Sequence, residues 1–403
     1  MFRSLFTAKP EARDLTFSDI WKRGLDLTDS STTAGERVNS DTALGLSAVF
    51  GAVRLLSDTI STLPVDVFFR QRGVEQQFRP LPEWITQMNP MLRNHEVIGQ
   101  IMMSLLLDGN SYVATLRDRT GRVLTISPLD PSDITPEVVT VEGRQELIFR
   151  SAKQPSETYT SYDIQHLRGL MKPGSIKGLS PISAAREMIG LALGAQRYGA
   201  TFFGSSGLAG ATIEVPGQLT PEGVEALKAS WNAVHRSASN ANKIAVLTEG
   251  AKFSKISIPP EDSQFLETKK SSVADIARIF GVPPHLLADS QLSTSWGSGL
   301  HEQNVAFSMY SLRPYITRIE HGMTSILRSS GISVAYAKLD VASLSRGTSE
   351  RWGNYQQGIL NGVYSIDEVR ALEGLPPLPD GEGQTHYRPL NLVPVGQEFN
   401  EEQ

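Results

Sequence analysis

Seven apolar residues, Val305, Met309, Leu312, Ile316, Ile319, Met323 and Ile326, follow one another at alternating intervals of four and three. A repeat of 3.5 keeps its members in one line only on an α-helix, and that line is the seam of helices packed nearly side by side. The spacing therefore predicts a long helix over 300–330 that lies along a partner. Pro314 should kink it, because proline has no N–H for the helical ladder.

The rest of the chain must supply what such a helix packs against. With 403 residues there is room for two or three compact units, and 40 % apolar with 20 % charged residues is globular rather than disordered or fibrous. The absence of cysteine excludes disulfides, thiolate nucleophiles and Cys-ligated metal sites, and is compatible with a cytoplasmic product. Lys and Arg total 38 against 43 Asp and Glu, a formal charge of −5, which argues against a tight, basic nucleic-acid clamp. The opening Met1-Phe-Arg-Ser-Leu-Phe6 has no signal-peptide core. The longest apolar run, Met188 to Ala195, is far short of the roughly 18 residues of a membrane span.

Along the chain, Thr28 to Gly35 reads as part of a mobile arm. Leu46, Val49, Val53, Leu56 and Ile60 mark a helix that Leu63-Pro64 ends, and Val65 to Arg70 reads as a strand turning near Gly73. A second helix covers Glu96 to Leu107. Ser111–Arg117 and Arg122–Ser127 flank one hairpin turn, and Val138–Val141 and Glu146–Phe149 flank another. Ser180-Pro181 and Thr220-Pro221 are helix starts, for helices reaching Phe203 and His235; glycines at 190, 194 and 199 would admit another backbone closely. Lys243–Leu247 and Lys252–Ile258 read as strands. Asp262 caps a helix that Gly281 and Pro283-Pro284 stop, and Ser365-Ile-Asp-Glu368 is a capping box.

Enzymatic motifs are missing: no phosphate-binding glycine loop, no His-Glu-x-x-His and no Gly-x-Ser-x-Gly elbow. The seven histidines never fall at i, i+4, and Asp130 and Asp133 are explained as turn formers, so no metal or catalytic cofactor is expected. A hydrolase assembled without a linear motif would have Ser295, His301 and Glu302 as its candidates.

Several phrases in order give the chain a resemblance to the portal proteins of long-tailed double-stranded-DNA phages. They include Ser47 to Pro64, Asp108-Gly-Asn-Ser-Tyr112, Leu129-Asp-Pro131, Asp163 to Arg168 and Gly178-Leu-Ser-Pro-Ile182. Ile276-Ala-Arg-Ile-Phe-Gly-Val-Pro-Pro-His-Leu-Leu287, His301-Glu-Gln303, Leu312-Arg-Pro314, Gly362 to Arg370 and Leu375-Pro-Pro377 follow. The resemblance implies an α+β portal fold and a non-enzymatic subunit of a dodecameric ring at one capsid vertex, assembled in the host cytoplasm. DNA would enter and leave through the ring.

Its parts would be a flexible arm (1–39), a β-rich wing (40–218), a stem helix (219–235), a small β clip (236–261) and a second stem helix with its turn (262–289). A tunnel loop (290–299), the long kinked helix (300–330), a helical crown or wing region (331–390) and a disordered tail (391–403) complete it. Gln291, Ser293, Thr294, Ser295 and Trp296 would touch DNA. Asn240, Asn242, Lys243, Glu249 and Lys252 of the clip would meet the large terminase and a head-tail adaptor, and capsid or scaffold protein would surround the wing. No membrane is implied, and another head-tail ring component is the non-enzymatic alternative. An acidic chain suits a conduit, since 6–10 phosphate contacts would make binding salt-sensitive by about 10³–10⁵-fold and resist sliding.

Overall fold

The structure, a computed structural model, describes residues 31–204, 211–214, 220–225, 252–255, 262–287, 298–341 and 349–387. The chain divides into two units, one of residues 1–62 with 67–337 and one of 63–66 with 338–403.

In the first unit, Asn39 and Thr42 exchange side-chain hydrogen bonds with each other's backbone N–H, a capping box that starts α1, Ser40–Leu44. Helix α2, Ser47–Ser61, buries Val49, Ala52, Val53, Leu56 and Ile60, the stripe its sequence spacing demands. Strands β1, Val65–Gln71, and β2, Val74–Gln77, form a hairpin whose two-residue turn, Arg72-Gly73, has positive φ at both positions (52° and 82°). That turn matches the right-handed twist of the flanking strands, and glycine at its second position relieves the Cβ clash. A short helix, α3, Glu83–Thr86, precedes α4, Asn94–Leu107, which packs its buried Ile98, Ile101, Met102 and Leu105 against α2.

The β-rich middle comprises two antiparallel sheets. Strands β3, Asn110–Arg117, β4, Val123–Leu129, and β8, Ile164–Arg168, take the order β4-β3-β8; β5, Ile134–Val141, β6, Arg144–Ser151, and β7, Thr158–Thr160, take the order β5-β6-β7. Tyr112, Ile134, Phe149 and Ile164 from both sheets form one buried cluster. Both hairpins expected here are present. The pairing of β8 with β3 completes the first sheet.

Two readings change in detail. The helix expected from Ser180 to Phe203 is two helices, α5, Pro181–Ala184, and α6, Arg186–Gly204, because Ala185 leaves helical geometry (ψ 16°). The arm is packed from residue 31 onward: a Cβ on Gly190 of α6 would lie 2.7 Å from the Thr32 side chain, and Thr33 N–H donates to the Glu187 carboxylate. Val38 is buried, and Glu36 pairs with Arg197 at 2.7 Å. The helical glycines thus admit this strap, as their lack of a side chain allows.

Beyond α6, β9, Ala211–Glu214, pairs antiparallel with β10, Lys252–Lys255. The strand read over Lys252–Ile258 is therefore present in its first residues, joined to a segment ahead of the Thr220 helix start; Lys243–Leu247 lies outside the described residues. Residues 221–225 are helical after Thr220, whose hydroxyl accepts from Gly223 N–H. Helix α7, Asp262–Phe280, packs against α6 and α2, and Gly281 (φ +65°) ends it.

The long helix runs in three segments: α8, Ser298–Ala306, a π-helical stretch, Phe307–Leu312, and α9, Arg313–Ser329. Its interruption falls just before Pro314, where the missing N–H breaks the i→i−4 ladder and a wider turn absorbs the loss. Gly322 lets the side chain of Leu167 on β8 within 3.0 Å of where a Cβ would stand. Strand β11, Ala335–Leu339, which sequence reading did not find, gives the sheet order β11-β1-β2.

In the second unit, helix α10, Ser349–Leu360, is followed by a short helix, α11, Ile366–Leu372. Ser365 and Glu368 make the expected capping box, and the buried Tyr355 with the nearly buried Arg351 and Glu373 links the helices, Tyr355 Oη donating to Glu373 Oε1 at 2.8 Å.

Candidate functional site

Of the DNA-facing loop expected over 290–299, residues 290–297 lie outside the described residues and 298–299 begin α8, so Gln291, Ser293, Thr294, Ser295 and Trp296 have no described geometry. What is described is the frame that holds both its ends. After α7, Val282 N–H reaches back to Ala277 O, and a 3₁₀ turn, Pro284–Leu287, leads into the loop. On the far side α8 leads away. His285 Nε2 lies 3.4 Å from Asn304 Oδ1 on α8, and Ser311 Oγ, in the π-helical stretch, donates to Gly281 O.

Gly281 is required twice over, for its positive φ and because a Cβ would come within 3.0 Å of Ser311 Oγ. The two strands of chain bounding the loop are thus tied together at two points. The Gly-Val-Pro-Pro-His run was readable as a helix stop, but its ties to Asn304 and Ser311 were not, since nothing local marks those partners.

Of the five clip residues, Lys252 lies in the described structure, at the start of β10 opposite Glu214 of β9; Asn240, Asn242, Lys243 and Glu249 lie outside it. This ribbon closes the excursion of the chain between the packed helices α6 and α7.

Strongly perturbed titratable groups gather elsewhere, at the start of β3. His166 is held down to about 3 by burial, with Arg168 and Lys177 adding to the effect; burial pushes Tyr112 well above the ordinary phenol range and raises Asp108. Such a group is a candidate reaction centre only if it opens onto a cleft. Here His166 and Tyr112 are buried and stacked, with ring centroids 4.4 Å apart.

Arg168 Nε can only donate, so His166 Nδ1 accepts from it at 3.2 Å, and Nε2–H donates to Asn110 Oδ1 at 3.0 Å. Asn110 Oδ1 also accepts from Gly178 N–H, and Nδ2 donates to Gly178 O and Asp108 O. The backbones of Gly109, Gly169 and Gly178 meet at this point, a contact that a Cβ on Gly109 or Gly178 would prevent. The cluster is a structural pin that fastens the 169–179 loop to β3, and its polar groups are consumed in doing so.

Of the hydrolase candidates, His301 and Glu302 fall on α8. Ser295 is outside the described residues, and Glu302 is exposed on α8. Among the described residues no group of three His, Asp or Glu is arranged to hold a metal, and no helix is long and apolar enough to cross a membrane.

Comparison with known proteins identifies the family. The family described as phage portal protein matches residues 47–374. The probable portal protein of Streptomyces phage phiC31 is 42 % identical over 377 residues, covering 91 % of this chain and 82 % of the relative. The portal protein of Enterobacteria phage HK97 is 27 % identical, covering 90 % and 87 %. Among solved structures, an HK97-family phage portal protein from Corynebacterium diphtheriae superposes with a TM-score of 0.57 at 16 % identity, covering 79 % of this chain and 98 % of that one. A chain from the neck of a native gene transfer agent particle, computed with C12 symmetry, gives 0.55 at 21 % identity, covering 83 % and 91 %.

Proposed function

This chain belongs to the phage portal protein family, and from that premise we propose that twelve copies close into a ring through which double-stranded DNA is packaged and ejected. Portal proteins are structural, non-enzymatic components of the virion's head-tail connector, and the α+β fold matches theirs. The ring, its copy number and the DNA path are our reading.

The observation that carries the reading is the packing of α6 against α7, with the intervening chain leaving and returning through the β9–β10 ribbon. Two long helices side by side suit the wall of a channel, and an excursion between them, closed at its root by hydrogen bonds, suits a docking end. In this reading α6, whose packing against α7 supports it, takes the stem role that the sequence reading gave to the helix beginning at Thr220. The clip then extends from 205 to 261, with Lys252 and Asn240, Asn242, Lys243 and Glu249 inside it. The large terminase and then a head-tail adaptor dock there, and capsid or scaffold protein meets the β-rich wing. The loop over 290–299 contacts DNA non-specifically, its Gln291, Ser293, Thr294, Ser295 and Trp296 offering hydrogen bonds and stacking without fixed charge.

Mass photometry with negative-stain imaging tests the ring. Particles near twelve subunits with an axial hole are expected; a persistent monomer or dimer under all assembly conditions would overturn the reading. Replacing 290–299 by a shorter glycine linker should leave rings intact while reducing DNA packaging or retention, and unchanged packaging would remove the loop from the DNA path.

A further inference from the structure

The apolar seam that runs along the long helix does not stay in one environment. Leu312, Ile316, Ile319, Met323 and Ile326 are buried, whereas Val305 and Met309 are 43 % and 54 % exposed. The π-helical stretch, which follows Val305 and contains Met309, explains the change. One inserted residue rotates everything before it by about 100°, which turns Phe307 inward and swings the start of the seam out of its own subunit. An apolar ridge continuous with a core residue row is thus left facing solvent.

An apolar cleft lies elsewhere in the same unit, walled by Leu46 and Ala48 ahead of and within α2, Ala192 and Ala195 of α6, and Val273 and Ile276 of α7, with a volume of about 350 Å³. A cavity of about 150 Å³ accepts a benzene-sized group, so this one has room for two aliphatic side chains. Two arginines stand near the cleft without lining it. Arg197 follows Gln196 in the cleft wall and Arg278 lies two residues past Ile276; their side chains are 71 % and 76 % exposed even though each touches a carboxylate of its own, Glu36 and Asp275. Glu302 is exposed on α8, one turn before Val305.

A ring of identical subunits closes through a heterologous contact, in which two different patches of the same chain meet across each interface. We propose that Val305 and Met309 of one copy seat in the cleft of the next, with Glu302 approaching Arg197 and Arg278. This inference rests on the ring reading above and names the contact that closes it.

Because the chain has no cysteine, the contact can be tested with Ala195→Cys and Met309→Cys. With both in one chain, a short bismaleimide should yield a covalent ladder on a denaturing gel, and neither variant alone should. Ala195→Cys should react with a maleimide in the monomer and be protected in assembled particles. Met309→Asp should raise the concentration needed for assembly by on the order of tenfold or more, and Met309→Leu should not.

Rings by mass photometry with no ladder from the double variant would overturn the contact while leaving the ring reading intact, whereas failure of the unmodified chain to form rings would overturn both. Cross-linked dimers from Met309→Cys alone would also overturn it, since they would place Met309 against its own copy in the neighbour rather than in the cleft. So would protection of Ala195→Cys in the monomer, which would place a segment of the same chain over the cleft.

Discussion

The buried His166 makes a quantitative demand on acid stability. Its imidazole is stacked on Tyr112, accepts from Arg168 and donates to Asn110, so an added proton on Nδ1 would set two donors and two positive charges against each other. The folded-state value near 3, against 6.5 for an unperturbed histidine, gives the sign. Above pH 6.5 both folded and unfolded forms are neutral and nothing is lost. Below it the unfolded chain takes up a proton that the folded chain refuses, and stability falls until about pH 3.

At pH 4.5 the two-unit gap corresponds to about 3 kcal/mol, a slope of about 1.4 kcal/mol per pH unit. Urea denaturation of the unassembled subunit at pH 7, 6, 5 and 4.5 reads this directly. His166→Gln should be less stable at pH 7, having lost the stack on Tyr112, but should show a pH dependence shallower by that slope. NMR of isotope-labelled histidines should find one ring that stays neutral down to pH 4. A His166 titrating near 6.5, or identical pH profiles for the two proteins, would refute the reasoning.

Gly109→Ala should cost more than about 3 kcal/mol and lower soluble yield, because its Cβ would stand 2.1 Å from Leu179 O at φ +68°. Gly73→Ala, strained in φ (+82°) but with nothing within 4 Å, should cost only about 1 kcal/mol; equal thermal midpoints for the two variants would contradict the argument. Arg117 ties β3 to the end of α9 by donating to Ser329 O and Oγ, Gly121 O and Tyr162 O, with its guanidinium 3.8 Å from the Tyr162 ring centroid. Arg117→Ala should therefore destabilise by about 2–4 kcal/mol, and Arg117→Lys should recover little of it in thermal unfolding, lacking the planar fork. Glu373→Gln should cost about 3 kcal/mol by leaving the nearly buried Arg351 without its counter-charge, seen as early loss of the second unit in hydrogen exchange.

Local chemistry determined much of this protein by sequence alone. The stripe from Val49 to Ile60, the turn at Gly73, the stop at Gly281 and the Ser365 capping box each depend on residues a few positions apart, so spacing and backbone preference suffice to place them. The succession of phrases that marks the family is likewise written along the chain.

What depended on distant partners was decided only in three dimensions. Strand β11 beside β1, β10 beside β9, the arm root seated on Gly190 and the glycine contact under His166 all join segments whose sequences do not refer to one another. The long seam shows the division most clearly. Its period dictated a helix, but whether each apolar member is core or surface turned on one π-helical stretch ahead of Pro314, because a rotation of the backbone redirects every side chain before it without changing the spacing.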